Sequence, residues 1–217
     1  MRLPRWFTLC LLAGAPLAAQ NSQPSFENDQ VIINAPHPGV DIPGFARKMH
    51  DHKLNRVMIY LHPGGEVLHY QDGSTVDLKW KQGEVKWSPA SGYHYSVIPP
   101  ELDPRVWKKP AFTGPMIVDV GIKKAGRPGQ VASSALDPLR VDPKDFQLVL
   151  ENSQVRVLRV RMAPHASLPV HQHILDSLLV WITGPKAGEF TWRGPFKGKL
   201  ENPSGEPLEA VIVELKS

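Results

Sequence analysis

The chain repeats itself, and this limits its fold more than any single motif does. "ENDQV" at 27–31 returns as "ENSQV" at 151–155, and "HDHKLNRVMIYL" at 50–61 returns as "HQHILDSLLVWI" at 171–182. "GEVKW" at 83–87 returns as "GEFTW" at 188–192, and "VDVGIK" at 118–123 as "VIVELK" at 211–216. Four matches in one order read as two copies of one unit, joined by the polar, proline-bearing segment "AGRPGQVASSALDPLRVDP". That unit is made of strands. Short runs such as "VRVLRVRM", "MIVDVGIKK" and "STVDLKW" lie between turns, and 22 prolines and 17 glycines interrupt any long helical period. The pattern predicts an all-β sandwich or barrel. The copies are unequal: between "MIYL" and "GEVKW" the first has room for a hairpin turning at "QDGS", whereas between "WITG" and "GEFTW" the second has only "PKA". The second barrel is therefore expected to be shortened.

The first residues, "MRLPRWFTLCLLAGAPLAA", place Arg2 and Arg5 before a short apolar run that ends in small residues. This is the layout of a secretory signal peptide, too short and too broken by Gly14 and Pro16 to span a bilayer. Cleavage near Ala19 implies an exported, periplasmic or secreted protein with no membrane partner. It also removes Cys10, the one cysteine, and leaves no thiol or disulfide chemistry. Loss of Arg2 and Arg5 lowers the 25 basic residues to 23, against 21 acidic, so a nucleic-acid partner is not supported. The expected division is a signal peptide at 1–19, a barrel at 20–126, a linker at 127–144 and a shortened barrel at 145–217. Nothing in these residues sets the oligomeric state.

"HDH" heads a run that reads as a strand. Residues two apart on a strand face the same way, so His50 and His52 share one side, a spacing that suits metal ligation. Arg56, four residues beyond His52, is the anomaly, because a guanidinium beside a cation repels it.

At these positions the chain resembles the cupin superfamily. That family's first motif, GxxxxxHxHxxxExxxxxxG, is met by Gly44, His50 and His52, with Arg56 at the glutamate position and Gly64 one residue late. Its second, GxxxxxPxGxxHxxxN, is met by Gly83, Pro89 and His94, with Ser91 and Ile98 at the glycine and asparagine. In the second copy His171, His173 and Gly184 keep the first motif, Ser177 takes the glutamate position, and Lys199 falls where the second motif has its histidine. The resemblance implies two cupin-type (double-stranded β-helix, or jelly-roll) barrels in tandem, the second degenerate. It also implies that His94 joins His50 and His52 around a divalent metal, Mn, Fe, Zn, Ni or Cu.

In the family's register Arg56, Met58 and Tyr60 face inward. Two unit charges about 5 Å apart at an effective dielectric near 20 interact by roughly 3 kcal/mol. Against a metal affinity on the order of 10 kcal/mol, this weakens binding without abolishing it. Arg56 then either anchors an anionic substrate or turns outward to an acid such as Asp51. Tyr60 and Tyr93 are the other candidate substrate-binding residues, and His171, His173 and Asp176 form a candidate second site. Two functions remain open. One is a metal-dependent enzyme, oxidoreductase or isomerase, acting on a small oxygenated or anionic molecule, though no separate general acid or base is evident. The other is a metal-free module that binds a small anion or sugar through Arg56.

Overall fold

A computed structural model of the chain describes residues 24–35, 48–102, 115–124 and 134–216. The signal segment 1–19, Gly44 and most of the loop after Pro99 lie outside them. The first half forms β1 (Phe26–Glu27), β2 (Val31–Asn34), β3 (His50–His52), β4 (Asn55–Tyr60), β5 (Gly64–Tyr70), β6 (Thr75–Trp80), β7 (Val85–Ser88), β8 (Ser91–Val97) and β9 (Ile117–Ile122). These make a five-stranded sheet, β1-β2-β9-β4-β7, and a four-stranded one, β3-β8-β5-β6.

The second half forms α1 (Pro138–Val141), β10 (Phe146–Glu151), β11 (Val155–Met162), β12 (His171–His173), β13 (Ser177–Trp181), β14 (Phe190–Arg193), β15 (Phe196–Gly198) and β16 (Leu208–Leu215). Its sheets are β10-β11-β16-β13-β14 and the pair β12-β15. The two five-stranded sheets thus run in the same order. The β5–β6 hairpin, turning at 71–74, has no counterpart in the second half, where the chain passes from β13 to β14 through a short turn. Gly184 opens that turn at φ 85°, and a Cβ there would lie 2.1 Å from Leu208 Cδ2, so only glycine fits.

Alternation along β4 explains how the halves join. Val57 and Ile59 are fully buried and Leu61 nearly so, and all three face away from the first barrel's interior. With Val31, Ile33, Val118 and Val120 they pack against Val155, Val157, Leu178, Val180, Val211 and Val213 of the second half in one apolar cluster. Each such side chain contributes about 1.5–3 kcal/mol on burial. A second cluster, with Phe146, Leu158, Met162, Leu179 and Ile212, fills the second barrel. Among the described residues no apolar cluster of this kind fills the first barrel.

Polar contacts across the seam are reciprocal. Gln30 donates to Asp176 Oδ2, while Asn55 donates to Gln154 Oε1 at 2.6 Å. Gln30 and Gln154 hold the same place in "ENDQV" and "ENSQV", as Asn55 and Asp176 do in the strand that follows each HxH. Asn28 and Asn152 each cap the turn beside them, accepting from Gln30 and Val31 and from Gln154 and Val155. Where residue i of one half meets j of the other, j's counterpart meets i's, the pattern of a two-fold interface.

Part of the segment read as a linker belongs to the second barrel. Ser134 Oγ donates to Gln172 Oε1, the Leu136 carbonyl accepts from the Gln172 amide, and Asp137 caps α1 and grips Arg156.

Candidate metal centre

In the first barrel β3 pairs with β8 so that His50 lies opposite His94, and an irregularity in register then sets His52 opposite Ser91. The three imidazoles converge. Ring centroids are 4.8 Å apart for His50 and His52, 4.7 Å for His50 and His94, and 5.2 Å for His52 and His94. One ligand nitrogen from each lies within 4.8 Å of the others.

The rings are also set for ligation. His50 Nδ1 sits 2.9 Å from the Lys48 carbonyl and His94 Nδ1 2.9 Å from the Gly92 carbonyl. A carbonyl only accepts, so each Nδ1 carries the proton and each Nε2 presents a lone pair, the arrangement usual for metal-bound histidine. Burial first, then the charges of Arg56, His50 and His94, hold His52 down to about 3, so it is neutral at any physiological pH. His94 is buried while His50 and His52 are partly exposed, so the group is open on one side. The donor set fits a divalent metal.

Arg56 pairs with an acid, though not with nearby Asp51. Its Nη1 donates to Asp119 Oδ2 at 3.0 Å and its Nη2 to Ser88 Oγ at 3.0 Å. Asp51 pairs instead with Lys53. Asp119 comes from β9, one register step along from Arg56, since Met58 faces Asp119 and Arg56 faces Gly121. Arg56 Nε and Asp119 Oδ1 are buried without hydrogen-bond partners. Burial pushes the Asp119 carboxyl up, against the pull of Arg56. The sequence did flag Asp119 in one way: in "VDVGIK" it stands where "VIVELK" has Ile212, an acid in a core position.

Tyr60 lies on the inward face of β4, 4% exposed, stacked on Trp80 at 4.3 Å with the Lys86 ammonium 5.8 Å from its ring. Burial and Glu66 push its phenol up, so it stays protonated. Tyr93 is next to His94 in β8 and hence on the opposite face, 53% exposed, and is not brought to the group.

The second barrel differs. His171 and His173 are buried and line a small pocket with Ser177, Leu179, Arg193, Phe196, Leu200 and Ile212. Asp176 is not among the lining residues, because its carboxylate is turned to Gln30 across the seam. The residue opposite His171 is Gly198, not Lys199, and a Cβ on Gly198 would lie 2.5 Å from the Phe196 ring. Phe196 thus folds over the place where the first barrel has a third imidazole.

His171 Nδ1 donates to the Pro169 carbonyl at 2.9 Å, and His173 Nδ1 lies 2.6 Å from Glu214 Oε1. Both Nε2 atoms are buried and unpartnered. Arg156, 6% exposed, forks onto Asp137 at 2.6 and 2.7 Å and reaches Glu214 at 3.2 Å. The chain Asp137–Arg156–Glu214–His173 was not singled out from sequence.

Burial, then the neighbouring His173, lower the His171 pKa. Below pH 6.5 the unfolded chain therefore carries a proton there that the folded one lacks, and stability is lost as pH falls from 6.5 towards the lowered value. Melting temperatures of the metal-free protein should drop between pH 7.5 and 5, and His171→Asn should flatten that slope. An unchanged slope would remove His171 as its cause.

The sequence matches no protein-family model and no curated protein. Solved structures do match. AerE from Microcystis aeruginosa is 16% identical, with 88% of this chain and 89% of that one covered, at a TM-score of 0.56. Oxalate decarboxylase from Bacillus subtilis is 13% identical, with 86% and 68% covered, at 0.50. The Cupin 2 conserved barrel domain protein from Leptotrichia buccalis is 11% identical over 88% and 86%, at 0.42. At these identities the likeness is one of fold, and this chain has an all-β fold of the cupin type.

Proposed function

We propose that this is an exported tandem cupin whose first barrel binds a divalent metal through His50, His52 and His94 and acts on a small oxygenated or anionic molecule. The observation that carries the reading is the convergence of three imidazoles, two of them, His50 and His94, with ring protons anchored on the far side, at a group open on one face. A bound divalent metal would supply Lewis acidity or oxygen activation. The protein's own groups would do the rest: His50, His52 and His94 would hold the ion, and the open side of the group would admit solvent or substrate. Tyr60, neutral and stacked on Trp80 on the inward face of β4, would help orient the substrate. The second barrel, lacking a third imidazole and the hairpin, serves as support. Of the reactions such a centre can run, oxidation or isomerisation of a small acid or polyol suits an open three-nitrogen set.

The signal-cleaved protein, titrated in turn with Mn, Fe, Ni, Cu and Zn, should bind one of them stoichiometrically, and His50→Ala/His94→Ala should lose at least 100-fold in affinity. Equal metal content in both proteins would leave the three histidines with another task.

A further inference from the structure

The acid missing from β4 has not left the barrel. Arg56 takes its place in the strand, yet a carboxylate stands one register step away on β9, 3.0 Å from the guanidinium. Both side chains are mostly buried, at 13% and 16% exposure, and the pair is not saturated, since Arg56 Nε and Asp119 Oδ1 lack partners. An ion pair of this kind is a poor device for stability. Desolvation of both charges offsets their attraction, and two orphaned polar atoms add further cost, so an apolar pair of the same volume would serve the fold as well or better. The second half carries no ion pair at the corresponding place, where Ser177 stands for Arg56 and Ile212 of β16 is part of an apolar cluster.

The guanidinium also lies close to the histidines. Arg56 faces Ser88 on β7 while His52 faces Ser91, three residues further along the chain on β8, and the guanidinium is held by Asp119 on one nitrogen and Ser88 on the other. Left alone, Arg56 would oppose any cation at the three imidazoles. With Asp119 in contact the pair carries no net charge, which offsets part of that opposition.

Resting on the metal-centre reading above, we propose that Asp119 is the positioning carboxylate of the three-histidine site. Supplied by β9 in place of the acid absent from β4, it locks the Arg56 guanidinium against Ser88 and cancels its charge. The histidines can then take a divalent cation despite the arginine. A consequence for ligand class follows. A metal held by three neutral imidazoles beside a neutral pair keeps its full double charge, whereas a carboxylate ligand would have halved it. The centre therefore selects a small anion, such as a carboxylate, as its exogenous partner.

Cobalt(II) titration of the whole signal-cleaved protein, followed by its visible absorption and by calorimetry, tests this in a four-protein cycle. Asp119→Asn leaves Arg56 uncompensated and should weaken cobalt at least tenfold. Arg56→Met should tighten it several-fold, and Arg56→Met/Asp119→Asn, neutral again, should return to within about threefold of wild type. Should Asp119→Asn fail to fold, Arg56→Met against the double variant decides, the single binding more tightly by at least fivefold. Acetate added to the cobalt form should perturb its visible bands more strongly than an equal concentration of ethanol. Wild type that binds no cobalt sinks the metal reading and this inference with it. Wild type that binds, beside an equally tight Asp119→Asn or a double variant as weak as that single, overturns the compensation alone.

Discussion

Arg156→Met should destabilise the protein by on the order of 3–5 kcal/mol, because it removes the guanidinium that two mostly buried carboxylates, Asp137 and Glu214, share. Glu214 is 2% exposed and Asp137 is the cap of α1, and Arg156 joins both in one buried chain that ends on His173. The loss is expected to come from the uncompensated charge left behind rather than from the missing contact itself. Urea denaturation of Arg156→Met beside Arg156→Met/Glu214→Gln separates the two, since the double variant should recover part of the loss. A drop below about 1 kcal/mol would mean that water reaches the carboxylates and that the chain is a surface network.

Ile59→Ala should cost about 2–5 kcal/mol, as deletion from a fully buried aliphatic site does. The more telling expectation concerns where the loss appears. Ile59 belongs to the first half by sequence but is fully buried in the cluster shared with Val157, Leu178 and Val213 of the second. Hydrogen exchange should therefore show amides of β4, β9, β13 and β16 losing protection together, in one cooperative unit. Loss confined to β4 and β9 would show that the halves fold apart and only touch.

The sequence made the strands, the unequal copies and the histidine pair readable, because each rests on a local pattern. Alternation of apolar residues marks a strand, and a residue count between two matched segments reveals a missing hairpin. What the apolar face of "NRVMIYL" packs against was not readable. Val57, Ile59 and Leu61 could as well have covered a helix or a second chain, and only the assembled sheets set them against β13 and β16. Partner choice among charges was equally hidden. Arg56 met Asp119, 63 residues away, in place of nearby Asp51, because cross-strand register and not sequence distance decides which side chains meet. Asp176, three residues from His173, lies close to that histidine in the chain, yet in the link before β13 it turns to Gln30. The buried chain through Arg156 joins four separated segments, and no local spacing announces it.

The first barrel carries its apolar face on the outside, against the second half, and polar groups within. Positions such as Met58, Lys86 and Ser88 thus contribute little to what keeps the chain folded, which lies at the seam. A vessel held from without can change its lining and stay a vessel. New chemistry is open to its interior by single substitutions, while the second barrel, filled by Phe146, Leu158 and Met162, is closed to the same experiment. The filled half is in this sense what leaves the interior of the other half free to vary.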